Sequence, residues 1–169
     1  MSKTPVRLFV GALAFSAAGY GALISREGYT DKAVIPVKND RPTVGFGSTF
    51  NPDGTPVKMG DTITPPKAVA RSLAHIAKDE VGLKRCITAP LSQIEYDKLV
   101  DHTYQYGVAV TCKSGMVEHY NAGNYAQACE FYTKYKYSGG YDCSTPGNKI
   151  CSDVYRRSLD RRDACKAAL

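Results

Sequence analysis

The chain has 169 residues, of which 43% are hydrophobic and 22% charged, with a formal net charge of +6 and six cysteines. That length buries one respectable core. The mild positive charge suits polyanionic surroundings, but no Arg-rich arm, zinc-finger spacing or aromatic-basic ribonucleoprotein motif makes the chain a nucleic-acid binder.

MSKTPVR precedes LFVGALAFSAAGYGALI, Leu8 to Ile24, a run of 17 residues without a charge. The run sits at the lower edge of what spans a bilayer and is diluted by Ala and Gly, so it predicts an apolar N-terminal helix able to enter a membrane and to leave it. The competing reading is a cleaved signal peptide, with an apolar core from Leu8 to Phe15 and small residues at Ser16 and Ala18 placed for signal peptidase. Either way the rest of the chain is delivered outside the cytoplasm. The cysteines agree: Cys86, Cys112, Cys129, Cys143, Cys151 and Cys165 are even in number and form no Cys-x-x-Cys pair. They read as disulfides of an oxidising compartment, with fifteen connectivities open. His75, His102 and His119 stand singly, without metal-ligand spacing, so no metal is expected.

From Arg26 onward the chain carries 20 basic and 16 acidic residues, because only Lys3 and Arg7 of the 22 basic ones lie earlier. AVIPV (33 to 37) and TVGFGS (43 to 48) read as a hairpin around the polar turn KNDRP, and a third short strand is expected at Val57 to Met59 after NPDGT. Thr64 with Pro65 and Pro66 opens a helix that ends near Gly82. Ser92 and Glu95 form a capping box for a helix that Gly107 closes. Shorter helices fit Ser114 to Asn121, Tyr125 to Tyr135 and Ser152 to Ala168, and a Cys143–Cys151 bridge could close the Gly and Pro loop before the last. The fold class is α+β: a small antiparallel sheet lobe near the N terminus, then a mainly helical lobe. The expected domains are 1–25, an N-terminal apolar segment, and 26–169, the folded body.

Hydrolysis of a glycosidic bond needs a carboxylic acid to protonate the leaving oxygen and a second group to hold water or stabilise an oxocarbenium-like sugar. A glutamate at a helix end facing a Gly-rich hairpin supplies the first. REGYTDKAVIPVKNDRPTVGFGST resembles the active-site segment of phage-type lysozymes, glycoside hydrolase family twenty-four, whose pattern is Glu, eight residues, Asp or Cys, five residues, Thr and a TxGxG strand. The resemblance continues in order through YQYG (104 to 107, with Gln105 where the family usually has Asn), SGMVEHYNAGNYAQAC (114 to 129), YSGG and DVYRRSLDRRDAC, and so covers roughly residues 27 to 165.

The resemblance implies a lysozyme-like fold and a muramidase that cuts peptidoglycan glycan strands and lyses the host, working as a monomer without a cofactor. By the same resemblance Glu27 is the general acid and Thr43 helps to hold the attacking water. The middle position departs from the pattern. One extra residue separates Glu27 from Thr43, so the family's Asp falls on Pro36 or Val37, and neither is a base. Asp40 is the substitute candidate, and Asp31 is the other carboxylate nearby. Signal-anchor-release endolysins in the family have a Gly- and Ala-rich segment just before the catalytic glutamate. Residues 8–24 therefore place the chain first in the inner membrane at its periplasmic face, then in the periplasm. Cys129–Cys165 pairing is what the resemblance implies, which with Cys143–Cys151 leaves Cys86–Cys112. Two rivals share these features: a non-catalytic, disulfide-stapled peptidoglycan-binding protein, and a conventionally secreted glycosidase acting on chitin-like polymers.

Overall fold

In the computed structural model, which describes residues 5–36 and 41–169, the apolar run Leu8 to Ile24 is not the single helix expected of it. Leu8–Phe9 is a short strand, β1, paired antiparallel with Pro90–Leu91. Val10–Ala12 makes a 3-10 turn, and helix α1 starts only at Ala17 and runs to Glu27. The break has a local cause. The Ser16 hydroxyl accepts from the Gly19 amide at 2.9 Å and caps α1, while Val10 and Leu13 upstream are buried, so the helix starts at its cap and the residues before it pack separately. Among the described residues no helix is long and apolar enough to cross a membrane.

The chain divides into two units, Ser16–Asp79 on one side and Met1–Phe15 with Glu80–Leu169 on the other, and the division falls inside a helix. In the first unit α1 is followed by β2 (Thr30–Val34) and β3 (Thr43–Gly45), an antiparallel pair in which Thr30 faces Gly45 and Val34 faces Thr43. Between those two pairs β2 takes four steps and β3 two, a bulge. The middle of β2 bonds elsewhere: the Ile63 amide donates to the Asp31 carbonyl and the Ala33 amide to the Asp61 carbonyl, both at 2.9 Å. The expected hairpin therefore exists, with its first strand three residues earlier than its composition suggested. The strand expected at Val57 to Met59 is only irregular. The Val57 amide donates to the Thr49 carbonyl, and an isolated bridge joins Phe50 to Pro56, whose missing N–H ends any ladder. Ala33, Val44, Phe46, Val57, Ile63 and Ala68 form the apolar core, with Ile24 and Val69 packed against it. Helix α2 (Pro65–Cys86) begins in this unit and leads into the next.

The second unit is mainly helical. After β4 (Pro90–Leu91) come α3 (Gln93–Tyr106), α4 (Val108–Cys112), α5 (Gly115–Asn121) and α6 (Tyr125–Phe131), the last continuing as a 3-10 turn through Lys134. The hairpin of β5 (Tyr137–Ser138) and β6 (Tyr141–Asp142) precedes α7 (Ser152–Lys166). The capping box predicted for α3 is present in both directions, Ser92 accepting from the Glu95 amide and Glu95 from the Ser92 amide. Helix α4 was not anticipated, since VAVTC is short, rich in β-branched residues and without a side-chain cap. Three disulfides form, Cys86–Cys112, Cys129–Cys165 and Cys143–Cys151, with Cα separations of 5.7, 5.5 and 5.0 Å. These are the expected pairings, and all lie in this unit.

A buried ion cluster joins α3 to α7. Asp101 accepts from Arg157 Nη2 at 2.7 Å and from Arg161 Nε at 2.5 Å, and Arg161 Nη2 also reaches Gln105 Oε1 at 2.8 Å. Burial by itself would raise the Asp101 carboxyl, but the two guanidiniums outweigh it and hold that carboxyl at about 2. Burial lowers Arg161 from its usual value, yet a guanidinium stays protonated throughout the accessible range, so the carboxylate carries the pH dependence of the cluster. Beside it His102 is fully buried, with Nδ1 2.9 Å from Thr111 Oγ1. Burial, assisted by Arg161, pushes His102 well below the ordinary imidazole value.

The signs fix a pH profile. Folded His102 stays neutral where the unfolded chain takes a proton near 6.5, so stability present above that pH is lost as the pH falls below it. Asp101 adds a second loss as the pH falls from about 4 towards 2. We expect the melting temperature to decline between pH 7 and 5, and His102→Gln to flatten that first decline while leaving the second. Parallel slopes for wild type and variant between pH 7 and 5 would remove His102 from this role.

Candidate active site

Glu27 is the last residue of α1 and is half-buried. A carboxylate at a helix C terminus lies where the macrodipole disfavours negative charge, so its position works against local stability, as functional groups often do. Gly28 ends the helix at φ 67°, its amide donating to the Ile24 carbonyl at 3.1 Å, and the chain turns directly into β2. The next residue is tied down too, with the Tyr29 hydroxyl donating to the Ile63 carbonyl at 2.7 Å and its ring 5.7 Å from Phe46.

The second glycine of TVGFGS lies against the Glu27 carboxylate. Val44 and Ser48 exchange both backbone hydrogen bonds, at 3.0 and 3.1 Å, which folds residues 44–48 into a tight turn with Gly47 at φ +75°. A Cβ at Gly47 would stand 3.0 Å from Glu27 Oε2. Glycine therefore meets two demands at once, a left-handed backbone and room for a carboxylate. The sequence signal was visible in the GFG spacing, but its partner was not. Gly47→Ala should displace the Glu27 carboxylate and lower activity by roughly tenfold, since misplacement of order 1 Å is that costly or worse. Turnover and melting, measured together, check this: an unchanged rate in a folded variant would mean Gly47 serves only the turn.

Thr43 opens β3, half-buried, with its hydroxyl donating to the Val34 carbonyl at 3.5 Å, a long and weak bond. A hydroxyl so loosely engaged is available to bind water. Asp40 and Val37 lie outside the described residues, and Pro36, the other residue at the family's Asp position, is exposed and carries no carboxylate. Asp31 sits in β2 and lines a hollow of about 380 Å³ with Tyr29, residues 62–65 and Lys67. The structure thus brings Glu27 to the Gly-rich turn and Thr43 to the end of β2. Among the described residues no group of three or more His, Cys, Asp or Glu could hold a metal ion.

An α+β frame with a helix-ending glutamate against a Gly-rich hairpin defines the lysozyme class. The chain belongs to the phage lysozyme family, whose model matches residues 24–157. It is 29% identical over 98 residues to the endolysin of Salmonella phage P22, covering 58% of this chain and 67% of that protein. To the endolysin of Bacillus phage B103 it is 26% identical over 132 residues, covering 74% of this chain and 46% of that protein, so the chain spans less than half the length of that relative. Among solved structures it matches the endolysin from Escherichia coli O157:H7 phage FAHEc1 with a TM-score of 0.78 at 28% identity, over 94% of this chain and 97% of that one. The lysozyme-like fold expected from the sequence is the fold found.

Proposed function

We infer that the chain is an endolysin, a muramidase hydrolysing the β-1,4 bond between N-acetylmuramic acid and N-acetylglucosamine of peptidoglycan and so lysing its host. The observation that carries this is the pairing of Glu27 with Gly47, which gives an acid a shaped space beside it. Glu27 delivers its proton to the glycosidic oxygen as the bond from that oxygen to the sugar's anomeric carbon breaks, and the positive charge spreads into the ring. Water held by the Thr43 hydroxyl adds to the anomeric carbon. The proton it releases passes to a base, for which Asp40 is the candidate carboxylate. The enzyme acts as a monomer. Residues 8–24 place it first in the inner membrane, at the periplasmic face, and the folded form then occupies the periplasm.

One observation favours a second reading, a peptidoglycan-binding protein without catalysis: the family's Asp position holds Pro36 or Val37. Purified protein on Gram-negative cells stripped of their outer membrane separates the two, because a binder sediments with murein and leaves the turbidity unchanged. Product analysis on murein against chitin tests the substrate. Within the enzyme reading, Asp40→Asn and Thr43→Ala divide the work. If only Thr43→Ala slows the reaction, water is held by the hydroxyl and Asp40 is an ordinary turn residue.

A further inference from the structure

Residues 7–15 are bound to the helical unit more firmly than a two-residue strand requires. Arg7 donates from Nη2 to Glu95 Oε1 at 2.8 Å and from Nε to Glu95 Oε2 at 3.0 Å, a two-pronged pair. Its guanidinium also lies 3.8 Å from the centre of the Tyr125 ring. Glu95 is fully buried, and the same carboxylate caps α3 by accepting from the Ser92 amide at 2.7 Å. At the other end of the segment Lys84 Nζ donates to the Leu13 carbonyl at 2.6 Å, Gln93 Nε2 to the Ala14 carbonyl at 2.9 Å, and the Phe15 amide to Glu80 Oε1 at 2.9 Å. Val10 and Leu13 are buried between these tethers. Glu95 thus depends for its counterion on a residue 88 positions away, at the edge of the apolar run.

We propose that Arg7 and Glu95 form a docking latch: the helical unit is complete only while residues 7–15 occupy their seat, and a chain whose apolar run spans a membrane leaves Glu95 without its counterion. The first half rests on the contacts alone, and the second rests on the membrane reading given above. If Leu8 to Ile24 crosses a bilayer with Lys3 and Arg7 on the cytoplasmic side, some 30 Å of hydrocarbon separates Arg7 from Glu95. Membrane insertion and latching then exclude one another. Cleavage after Ser16 or Ala18 would remove Arg7 altogether, so the latch also requires the mature protein to keep its N terminus.

The test uses the full-length chain with Arg7→Met, Glu95→Gln and the double variant. The readouts are hydrogen exchange at the Leu13 and Phe15 amides and co-sedimentation with phosphatidylethanolamine–phosphatidylglycerol vesicles; neither depends on lytic activity. Arg7→Met strands a buried carboxylate and should speed exchange at both amides roughly tenfold or more, with a larger vesicle-bound fraction. Adding Glu95→Gln keeps the cap on α3 but removes the stranded charge, so both readouts should return most of the way to wild type. Exchange within twofold of wild type in Arg7→Met, or a double variant no better than that single one, would overturn the latch. If exchange responds but no form of the chain sediments with vesicles, the latch stands and its membrane half falls. Should Arg7→Met fail to fold, Arg7→Lys, which keeps the charge but not the fork, should show the same order at smaller amplitude, and equality with wild type there overturns the proposal.

Discussion

Glu27→Gln should lower the rate of murein clearing by about a hundredfold or more without lowering the melting temperature. The amide matches the carboxyl in shape, so it keeps the space that Gly47 leaves open, but it has no proton to give the departing sugar oxygen, and general-acid transfer typically contributes at least that factor. Glu27 is half-buried at a helix C terminus and outside the apolar core of its unit, where a neutral side chain suits the macrodipole at least as well, so the fold survives the change. Turbidity and thermal melts on the same preparation decide the matter. A variant retaining more than a tenth of the activity would take the acid role away from Glu27.

The largest expected loss of stability comes from Asp101→Asn, on the order of 3–5 kcal/mol. The carboxylate accepts from two arginines, one of them wholly buried, and the amide removes the negative charge to which both guanidiniums are bonded. Breaking a buried pair from one side is costly even where the intact pair adds little, because the remaining charge cannot regain water. Chemical denaturation of Asp101→Asn, Arg161→Met and the double variant separates these effects. The double variant should be less destabilised than the sum of the singles. Strict additivity would mean that the two residues do not act as a unit.

Local chemistry made much of this protein legible in its sequence. The capping box is a matter of Ser92 and Glu95 three positions apart, and it formed as written. The hairpin announced itself by alternation and a polar turn, and a family pattern stretched over most of the chain carried the fold and the Cys129–Cys165 bridge. What the sequence concealed depends on distant partners. Glu95 reads as a helix cap, and nothing nearby says that its other bonds go to Arg7. The same holds for Leu8 to Ile24: hydropathy describes what such a run prefers in lipid, whereas the Ser16 cap and the tethers from Glu80, Lys84 and Gln93 give it another shape in the folded chain. At the candidate site, Glu27 is singled out by pattern, but the closeness of Gly47 to its carboxylate emerges only once the turn is closed.

The placement of the cross-links has a further result. All six cysteines lie after Glu80, so the segment that carries Glu27, Gly47 and Thr43 has no covalent bond to lose. Reductant therefore acts on the molecule unevenly. It widens the unfolded ensemble of the helical unit, where closed loops otherwise limit it, and leaves the hairpin unit held by the packing of Val44, Phe46 and Ile63. The local framework around Glu27 needs no disulfide to close it, whereas the helical unit carries all three. Disulfide formation thus becomes a maturation step for one half of the protein only.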